Sequence, residues 1–151
     1  MDAVTPKNNK HDTLDTHSHL VRPAEMEWKK TRFPGCEVKP LLADKESGLV
    51  TALMRFAPGA VLPDHEHVRI EQTYVLEGKL VDKEGPAKGL TVEPGEFVWR
   101  EAASRHVAWT PEGGLMLAMF QVPNKFYEKD GRVTDPTGKL WDEVWGHTGK
   151  G

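Results

Sequence analysis

Between residues 25 and 122, the hydrophobic and polar positions fall into short runs separated by turn signals. The runs are rich in Val, Leu, Thr, Phe and Trp, and Pro-Gly pairs interrupt them at 34–35, 58–59 and 94–95. Short strands at regular spacing with such turns are typical of an all-β sandwich or barrel. The pattern predicts strands at residues 25–29, 36–43, 48–56, 60–66, 70–77, 79–82, 88–92, 96–99, 105–109 and 114–122.

The segments on either side of these strands have different patterns. Residues 1–20 are polar and aperiodic, which predicts a flexible N-terminal arm, and residues 21–151 are expected to form a single domain. Residues 123–136 resemble an irregular connection that could hold one more short strand. In residues 140–145 the apolar positions recur at i, i+1, i+4 and i+5, which predicts a short C-terminal helix.

Charge and composition exclude several classes of protein. The formal net charge of −3 over 151 residues leaves no basic footprint for nucleic acid or an anionic membrane surface. No apolar run approaches the ~20 residues of a membrane span, and the N-terminus lacks the apolar region of a secretory signal. Cys36 is the only cysteine, so an internal disulfide and a thiolate metal cluster are excluded. We expect a cytoplasmic protein with no nucleic-acid or membrane partner.

The candidate chemistry begins in GAVLPDHEHVRIEQTYVLEG, residues 59–78. His65 and His67 are two residues apart, so on a strand both side chains point to the same face. Glu71 follows a short turn, and a hairpin would bring it back opposite the histidines. Two imidazoles and a carboxylate that converge in this way suit a divalent transition metal such as iron, manganese, nickel or zinc.

A fourth candidate ligand is found further along the chain. His106 lies among strand-like residues, and a closed barrel would let it reach the same point. Three imidazoles and one carboxylate leave open positions on a metal, whereas structural zinc sites are usually closed, so the pattern favours a catalytic ion. A second His-x-His, at His17 and His19, has no carboxylate at useful spacing, and we interpret it as solvated surface histidines.

The first stretch resembles the first cupin motif: Gly59, five residues, His65 and His67, three residues, Glu71, six residues and a closing glycine. Residues 89–106 resemble the second motif, with a glycine, a Pro-Gly pair and a histidine in order. They depart from it in a longer gap before the histidine and in the absence of the asparagine that often follows it. The resemblance covers about residues 48–122. It is nearest to the cupin module of the ChrR anti-sigma factors and to the small dioxygenases that cleave acetylacetone-type β-diketones.

This resemblance implies a double-stranded β-helix, that is, a conical antiparallel barrel or jelly roll, and a homodimer. It also implies a central metal ion, which we expect to be Fe(II), with zinc, manganese and nickel as alternatives. His65, His67 and His106 would hold the metal. Glu71 stays open between a metal ligand, a catalytic group beside the metal and a surface ion pair with Arg69, because the diketone-cleaving relatives bind iron through three histidines alone.

Four side chains near the expected barrel are candidates for binding a carbonyl substrate: Arg55, Trp99, Phe120 and Gln121. Our first hypothesis is an Fe(II)-dependent dioxygenase that cleaves a C–C bond in a small β-diketone or hydroxyketone. A second hypothesis is a non-enzymatic sensor of a metal or small molecule, as in the ChrR module. A third is a manganese or zinc cupin that catalyses isomerisation or decarboxylation, because one fold can host many reactions.

Overall fold

A computed structural model describes residues 3–6 and 17–146 of the chain. It confirms the all-β prediction, with two antiparallel sheets and one short C-terminal helix. The strands are β1 (Ala3–Val4), β2 (Lys29–Lys30), β3 (Cys36–Asp44), β4 (Leu49–Phe56), β5 (Ala60–Glu66), β6 (Glu71–Gly78), β7 (Leu80–Glu84), β8 (Thr91–Val92), β9 (Phe97–Arg100), β10 (Arg105–Thr110), β11 (Gly114–Gln121), β12 (Lys125–Tyr127) and β13 (Val133–Thr134). A 3₁₀ turn spans Pro23–Glu25, and helix α1 spans Trp141–Trp145.

The two sheets face each other, and from β4 onward successive strands mostly belong to different sheets. The seven-stranded sheet has the order β1-β3-β4-β11-β6-β9, with β2 also paired to β3. The six-stranded sheet has the order β13-β12-β5-β10-β7-β8. Strands β4, β6, β9 and β11 belong to the first sheet and β5, β7, β10 and β12 to the second, so the chain winds back and forth as in a jelly roll.

Alternation along the strands decides what fills the space between the sheets. On β10, His106, Ala108 and Thr110 are buried and alternate with less buried residues, as period-2 geometry requires. Thr73 and Val75 are buried on β6 in the same way. The core joins apolar side chains of both sheets: Phe33, Cys36, Phe56, Ala60, Val75, Leu80, Val92, Ala108, Met116 and Phe126.

Most predicted strands are present, and three segments differ. The strand predicted at 25–29 is wrong, because Pro23 favours the 3₁₀ turn at Pro23–Glu25 and pairing begins only at Lys29–Lys30. The strand predicted at 88–92 shortens to Thr91–Val92. The connection at 123–136 contains two short strands, β12 and β13.

The ends of the chain can be compared only in part with the prediction. The predicted helix at 140–145 is confirmed as α1, which begins at Trp141. Residues 1–2 and 7–16 of the predicted arm lie outside the described residues, and the flexibility of the arm stays a prediction. Within the described ranges, no helix is long and apolar enough to cross a membrane.

Candidate metal centre

Three histidines meet at a buried point on the inner face of the six-stranded sheet. His65 on β5 is the direct cross-strand partner of His106 on β10, and His67 follows the end of β5. The exposed fractions of His65, His67 and His106 are 1%, 1% and 5%. One ring nitrogen from each histidine lies within 4.8 Å of the other two, and the Nε2 atoms of His67 and His106 are 3.0 Å apart.

The local backbone aims these side chains. The register of β5 against β10 shifts next to Pro63, which has no N–H to give to the ladder and is therefore tolerated at such an irregularity. The Pro63 carbonyl oxygen lies 2.7 Å from His65 Nδ1. His67 is held by its own backbone: its N–H donates to Ser104 O at 2.8 Å, and its carbonyl accepts from Ala103 N at 2.7 Å.

The other two histidines also have an oxygen beside Nδ1. His106 Nδ1 lies 3.0 Å from Asp82 Oδ1, within hydrogen-bond geometry. Glu71 Oε2 lies 2.5 Å from His67 Nδ1, at ion-pair distance. An oxygen beside Nδ1 favours the tautomer with its proton on Nδ1, which leaves the lone pair on Nε2. All three rings can therefore bind a metal at the common point through Nε2.

Asp82 is itself fixed by a buried arginine. Arg100 on β9 donates to both carboxylate oxygens of Asp82, from Nη1 at 2.9 Å and from Nη2 at 2.7 Å. The two residues are only 8% and 2% exposed. Because β9 and β7 belong to different sheets, this ion pair links the sheets directly behind His106.

The protonation states suit a cation. Burial, and then the neighbouring His67 and His106, lower the pKa of His65 to about 3, so this imidazole is neutral at pH 7. Burial alone would raise the pKa of Glu71, but chiefly the nearby His67 lowers it to about 2. The pKa of Asp82 is also lowered, because hydrogen bonds from His106 and Arg100 outweigh burial.

These residues fit a divalent transition metal. Two imidazole nitrogens that each lie about 2.1 Å from an ion, at right angles to one another, are separated by about 3.0 Å. This is the spacing of the Nε2 atoms of His67 and His106. Neutral imidazoles are ligands of iron, zinc, nickel and copper. The group of converging atoms does not include Glu71, whose carboxylate instead contacts the Nδ1 side of His67.

An apolar cavity of about 200 Å³ opens beside the histidines, between the two sheets. His65 and His106 form part of its wall, and Glu71 and Thr73 contribute polar atoms. Most of the remaining wall is apolar: Phe33, Cys36, Val38, Pro40, Val50, Ala52, Met54, Phe56, Leu62, Leu80, Ala108, Met116, Ala118, Phe120, Phe126 and Pro136.

The four substrate-binding candidates from the sequence are placed differently from one another. Phe120 lines the cavity, and Arg55, Trp99 and Gln121 do not. Arg55 points outward, where it pairs with Glu37 at 3.1 Å. The Trp99 side chain is 55% exposed, and Gln121 is exposed at the end of β11. Adjacent residues on a strand point to opposite faces, so each of these three side chains points outward where its neighbour points inward, as Phe120 does beside Gln121.

Sequence reasoning missed two residues of the site. Asp82 lies two residues after Leu80 on a short strand, so period-2 alternation places its carboxylate on the inner face. An acidic residue at an inward position needs a partner, and that signal was available in the sequence. Asn124, which also lines the cavity, lies in a loop whose path has no sequence periodicity.

Two antiparallel sheets wound as a jelly roll around three inward histidines define a cupin. The ChrR cupin-like domain model matches residues 16–125, and the chain belongs to this family. None of the curated protein sequences compared with the chain matches it significantly.

Solved structures share this fold. An acetylacetone dioxygenase from Acinetobacter johnsonii is 20% identical, with a TM-score of 0.71 over 92% of this chain and 93% of that chain. A protein from Methylibium petroleiphilum PM1, a proposed acetylacetone dioxygenase, is 24% identical, with a TM-score of 0.70 over 78% and 85%. An RmlC-like cupin from Ralstonia eutropha JMP134 is 17% identical, with a TM-score of 0.68 over 78% and 76%. At these identities the similarity establishes the fold alone.

Proposed function

We propose that this cupin is an Fe(II)-dependent dioxygenase that cleaves a C–C bond in a small β-diketone or hydroxyketone. The observation that carries the proposal is a group of three converging, buried histidines, two of which, His65 and His106, lie on the wall of an apolar cavity. Three protein ligands leave coordination positions open, as catalytic metal sites require. The similarity in fold to acetylacetone dioxygenases supports the same class of substrate.

His65, His67 and His106 would hold the ion, each through Nε2. Fe(II), when bound, supplies Lewis-acid activation of a carbonyl compound and a route for electrons to dioxygen. The protein supplies the shape and dryness of the site. Its apolar walls would take up the carbon groups of the substrate and exclude water, which strengthens electrostatic interactions inside.

Glu71 would act chiefly by positioning His67. Its Oε1 accepts a hydrogen bond from Thr73 Oγ1 at 3.0 Å, and its Oε2 lies beside His67 Nδ1. Both carboxylate oxygens are therefore engaged. With a pKa of about 2 the group is a weak base, which favours the positioning role over proton abstraction from a substrate.

Oxygen uptake tests this proposal. Protein reconstituted anaerobically with Fe(II) is expected to consume dioxygen when acetylacetone or a related β-diketone or hydroxyketone is added. The zinc-loaded protein and His106→Ala are the controls, and neither should consume oxygen. An iron-loaded wild type that consumes no oxygen with any member of a broad panel would contradict the proposal.

The family match also favours a second candidate, a non-enzymatic sensor of a metal or small molecule like the module of the ChrR anti-sigma factors. A sensor would bind the same ligands without converting them and would capture a sigma factor in a metal-dependent manner. Manganese or zinc chemistry without oxygen, such as isomerisation or decarboxylation, would use the same histidines. Product analysis of the same substrate panel under nitrogen separates that chemistry from both other candidates.

A further inference from the structure

One polar side chain in the wall of the apolar cavity has no role in the metal centre. Asn124, in the loop between β11 and β12, lines the cavity and is 9% exposed. Its Oδ1 is completely buried and accepts no hydrogen bond within the described residues. A carbonyl oxygen can only accept, so the group that would bind it is Nδ2, and a rotation of the side-chain amide by about 180° puts the Nδ2 N–H in the place of Oδ1.

The loop that carries Asn124 is held in a strained conformation. Val122 is 2% exposed and has a φ of 62°, a left-handed value that is a genuine outlier for a β-branched residue. Its N–H donates to Gly48 O at 2.8 Å, and a side chain at Gly48 would collide with it. Trp141 of α1 donates from Nε1 to the carbonyl of Pro123 at 2.8 Å. Strain of this kind persists only where the surroundings impose it, and it is often found at ligand sites.

Stability alone does not explain an amide at this position. An unpaired buried polar group is costly, whereas an apolar residue of similar size would suit walls formed by side chains such as Val50 and Ala118. Local rules of this kind are broken most often at functional sites. The missing partner of Asn124 is therefore expected to be a ligand.

We propose that the Asn124 amide is a specificity-determining group, which hydrogen-bonds an oxygen atom of a small and mostly apolar carbonyl ligand. The apolar body of the ligand fills the cavity, and the amide selects molecules that carry a carbonyl oxygen over hydrocarbons of the same shape. The inference rests on the proposed function in that it takes this cavity as the substrate site. It requires no turnover and no particular metal.

The cavity volume indicates suitable probes. A cavity of about 150 Å³ holds benzene, so about 200 Å³ leaves room for a benzene ring with a short substituent. Acetophenone and isopropylbenzene have the same number of heavy atoms and nearly the same shape, and they differ in one carbonyl oxygen. The ratio of their dissociation constants isolates the contribution of that oxygen.

The experiment measures both dissociation constants by NMR on the full-length protein as purified, under nitrogen, with ¹³C-labelled methionine methyl groups. Met54 and Met116 line the cavity and report binding there, whereas Met119 does not line it and serves as the internal reference. The variants are Asn124→Leu, which keeps the bulk, and Asn124→Ala, which leaves the cavity open. Gln72→Leu is the matched control, because it replaces an amide on β6 that does not line the cavity.

In the wild type and in Gln72→Leu, acetophenone is expected to bind more tightly than isopropylbenzene. In both Asn124 variants the ratio of the isopropylbenzene to the acetophenone dissociation constant should fall about three- to tenfold, the usual effect of losing one hydrogen bond. A preference that survives in either variant would overturn the proposal. So would the absence of any shift at Met54 and Met116 in the wild type, or unfolding of both variants, which would make Asn124 a structural residue. If iron-dependent oxygen uptake fails but the preference depends on Asn124, the reaction is wrong and the ligand site stands.

Discussion

At the scale of single residues, the metal centre depends on groups behind the ligands as much as on the ligands. Asp82 holds the Nδ1 side of His106, and Arg100 holds Asp82. The spacing of the histidines in the sequence identified the candidate ligands. It did not identify the Asp82–Arg100 pair, because the pairing depends on β7 and β9 lying in facing sheets, and no local pattern encodes that arrangement.

Asp82→Asn is expected to weaken both the metal site and the fold. It removes the anionic partner of His106 and leaves the Arg100 charge buried without compensation, which costs about 3–5 kcal/mol of unfolding free energy. Metal affinity should fall by about 10–100-fold, as is typical when the partner of a ligating histidine is lost. Urea denaturation and a competition titration with a metal-binding dye measure the two effects.

The matched control is Asp64→Asn, which breaks another two-bond pair between an aspartate and an arginine. Asp64 accepts from Arg105 Nε at 2.8 Å and from Nη2 at 2.6 Å, but the two side chains are 39% and 49% exposed. Exposed pairs contribute about 0–1 kcal/mol because solvent screens them. Equal losses of unfolding free energy and of metal affinity in Asp82→Asn and Asp64→Asn would contradict the role assigned to Asp82.

Cys36 should be chemically inert in the folded protein. Its side chain is 3% exposed, and burial, as the chief cause, raises the thiol pKa to about 11. Since the thiolate is the reactive form, native protein at pH 8 should react with a disulfide reagent about a hundredfold or more slowly than urea-denatured protein. Similar rates in the two states would mean that the cavity wall beside Cys36 opens readily.

At the scale of elements, the strands could be predicted wherever alternation and turn signals agree. The predictions at 36–43, 48–56 and 60–66 differ from β3, β4 and β5 by at most one residue at either end. Prediction failed at residues 25–28 and 88–90, where turns and irregular chain replace pairing. The loop that carries Asn124 could not be predicted, because contacts with Gly48 and Trp141 fix its path, and both are distant in sequence.

Two glycines of the cupin motifs should respond very differently to substitution. Gly78 and Gly89 both have positive φ, 73° and 92°, so alanine at either position carries a backbone cost of about 1–2 kcal/mol. Only at Gly78 would the added Cβ also meet backbone, 1.9 Å from the carbonyl oxygen of Gly113, and at Gly89 it meets nothing within 4 Å.

Gly78→Ala is therefore expected to lose several kcal/mol of unfolding free energy or to fail to fold. Gly89→Ala should lose only the backbone cost of about 1–2 kcal/mol. Urea denaturation of the two variants side by side makes the comparison. Comparable unfolding free energies would mean that the β6–β7 connection relaxes away from Gly113, and the close approach would then have no part in fixing this crossing between the two sheets.

At the scale of the whole molecule, the resemblance of the two motifs to the cupins predicted the winding of the chain into two sheets. Periodicity alone left a sandwich and a barrel open. The apolar cavity could be predicted only in outline. The small residues Thr73 and Ala108 line it, as expected because each lies two residues after Glu71 or His106 and so on the same face of its strand. The rest of its wall is formed by side chains of both sheets, which the sequence does not bring together.

We also propose that the chain forms a homodimer through the outer face of the seven-stranded sheet. Tyr74 and Leu76 on β6 and Phe97 and Trp99 on the neighbouring strand β9 are 41–55% exposed and form an apolar patch. β9 is an edge strand of the described sheet, so a second copy could continue the sheet while it covers the patch.

Light scattering coupled to size-exclusion chromatography should give the mass of a dimer at micromolar concentration. Phe97→Lys combined with Trp99→Lys should give a folded monomer, because buried charges without partners oppose association. Leu90→Lys, which places a charge at an exposed residue outside this patch, is the control and should remain dimeric. A wild type that is monomeric at high micromolar concentration would contradict the proposal.

The three-histidine metal site is tested most directly by the metal content of protein reconstituted with Fe(II) under nitrogen and freed of excess ion. The wild type is expected to hold about one ion per chain, and His65→Ala and His106→Ala nearly none. A double variant, His17→Ala with His19→Ala, removes the other His-x-His pair of the sequence and should hold as much metal as the wild type. A wild type without metal, or metal that survives in the His65 and His106 variants, would contradict the site.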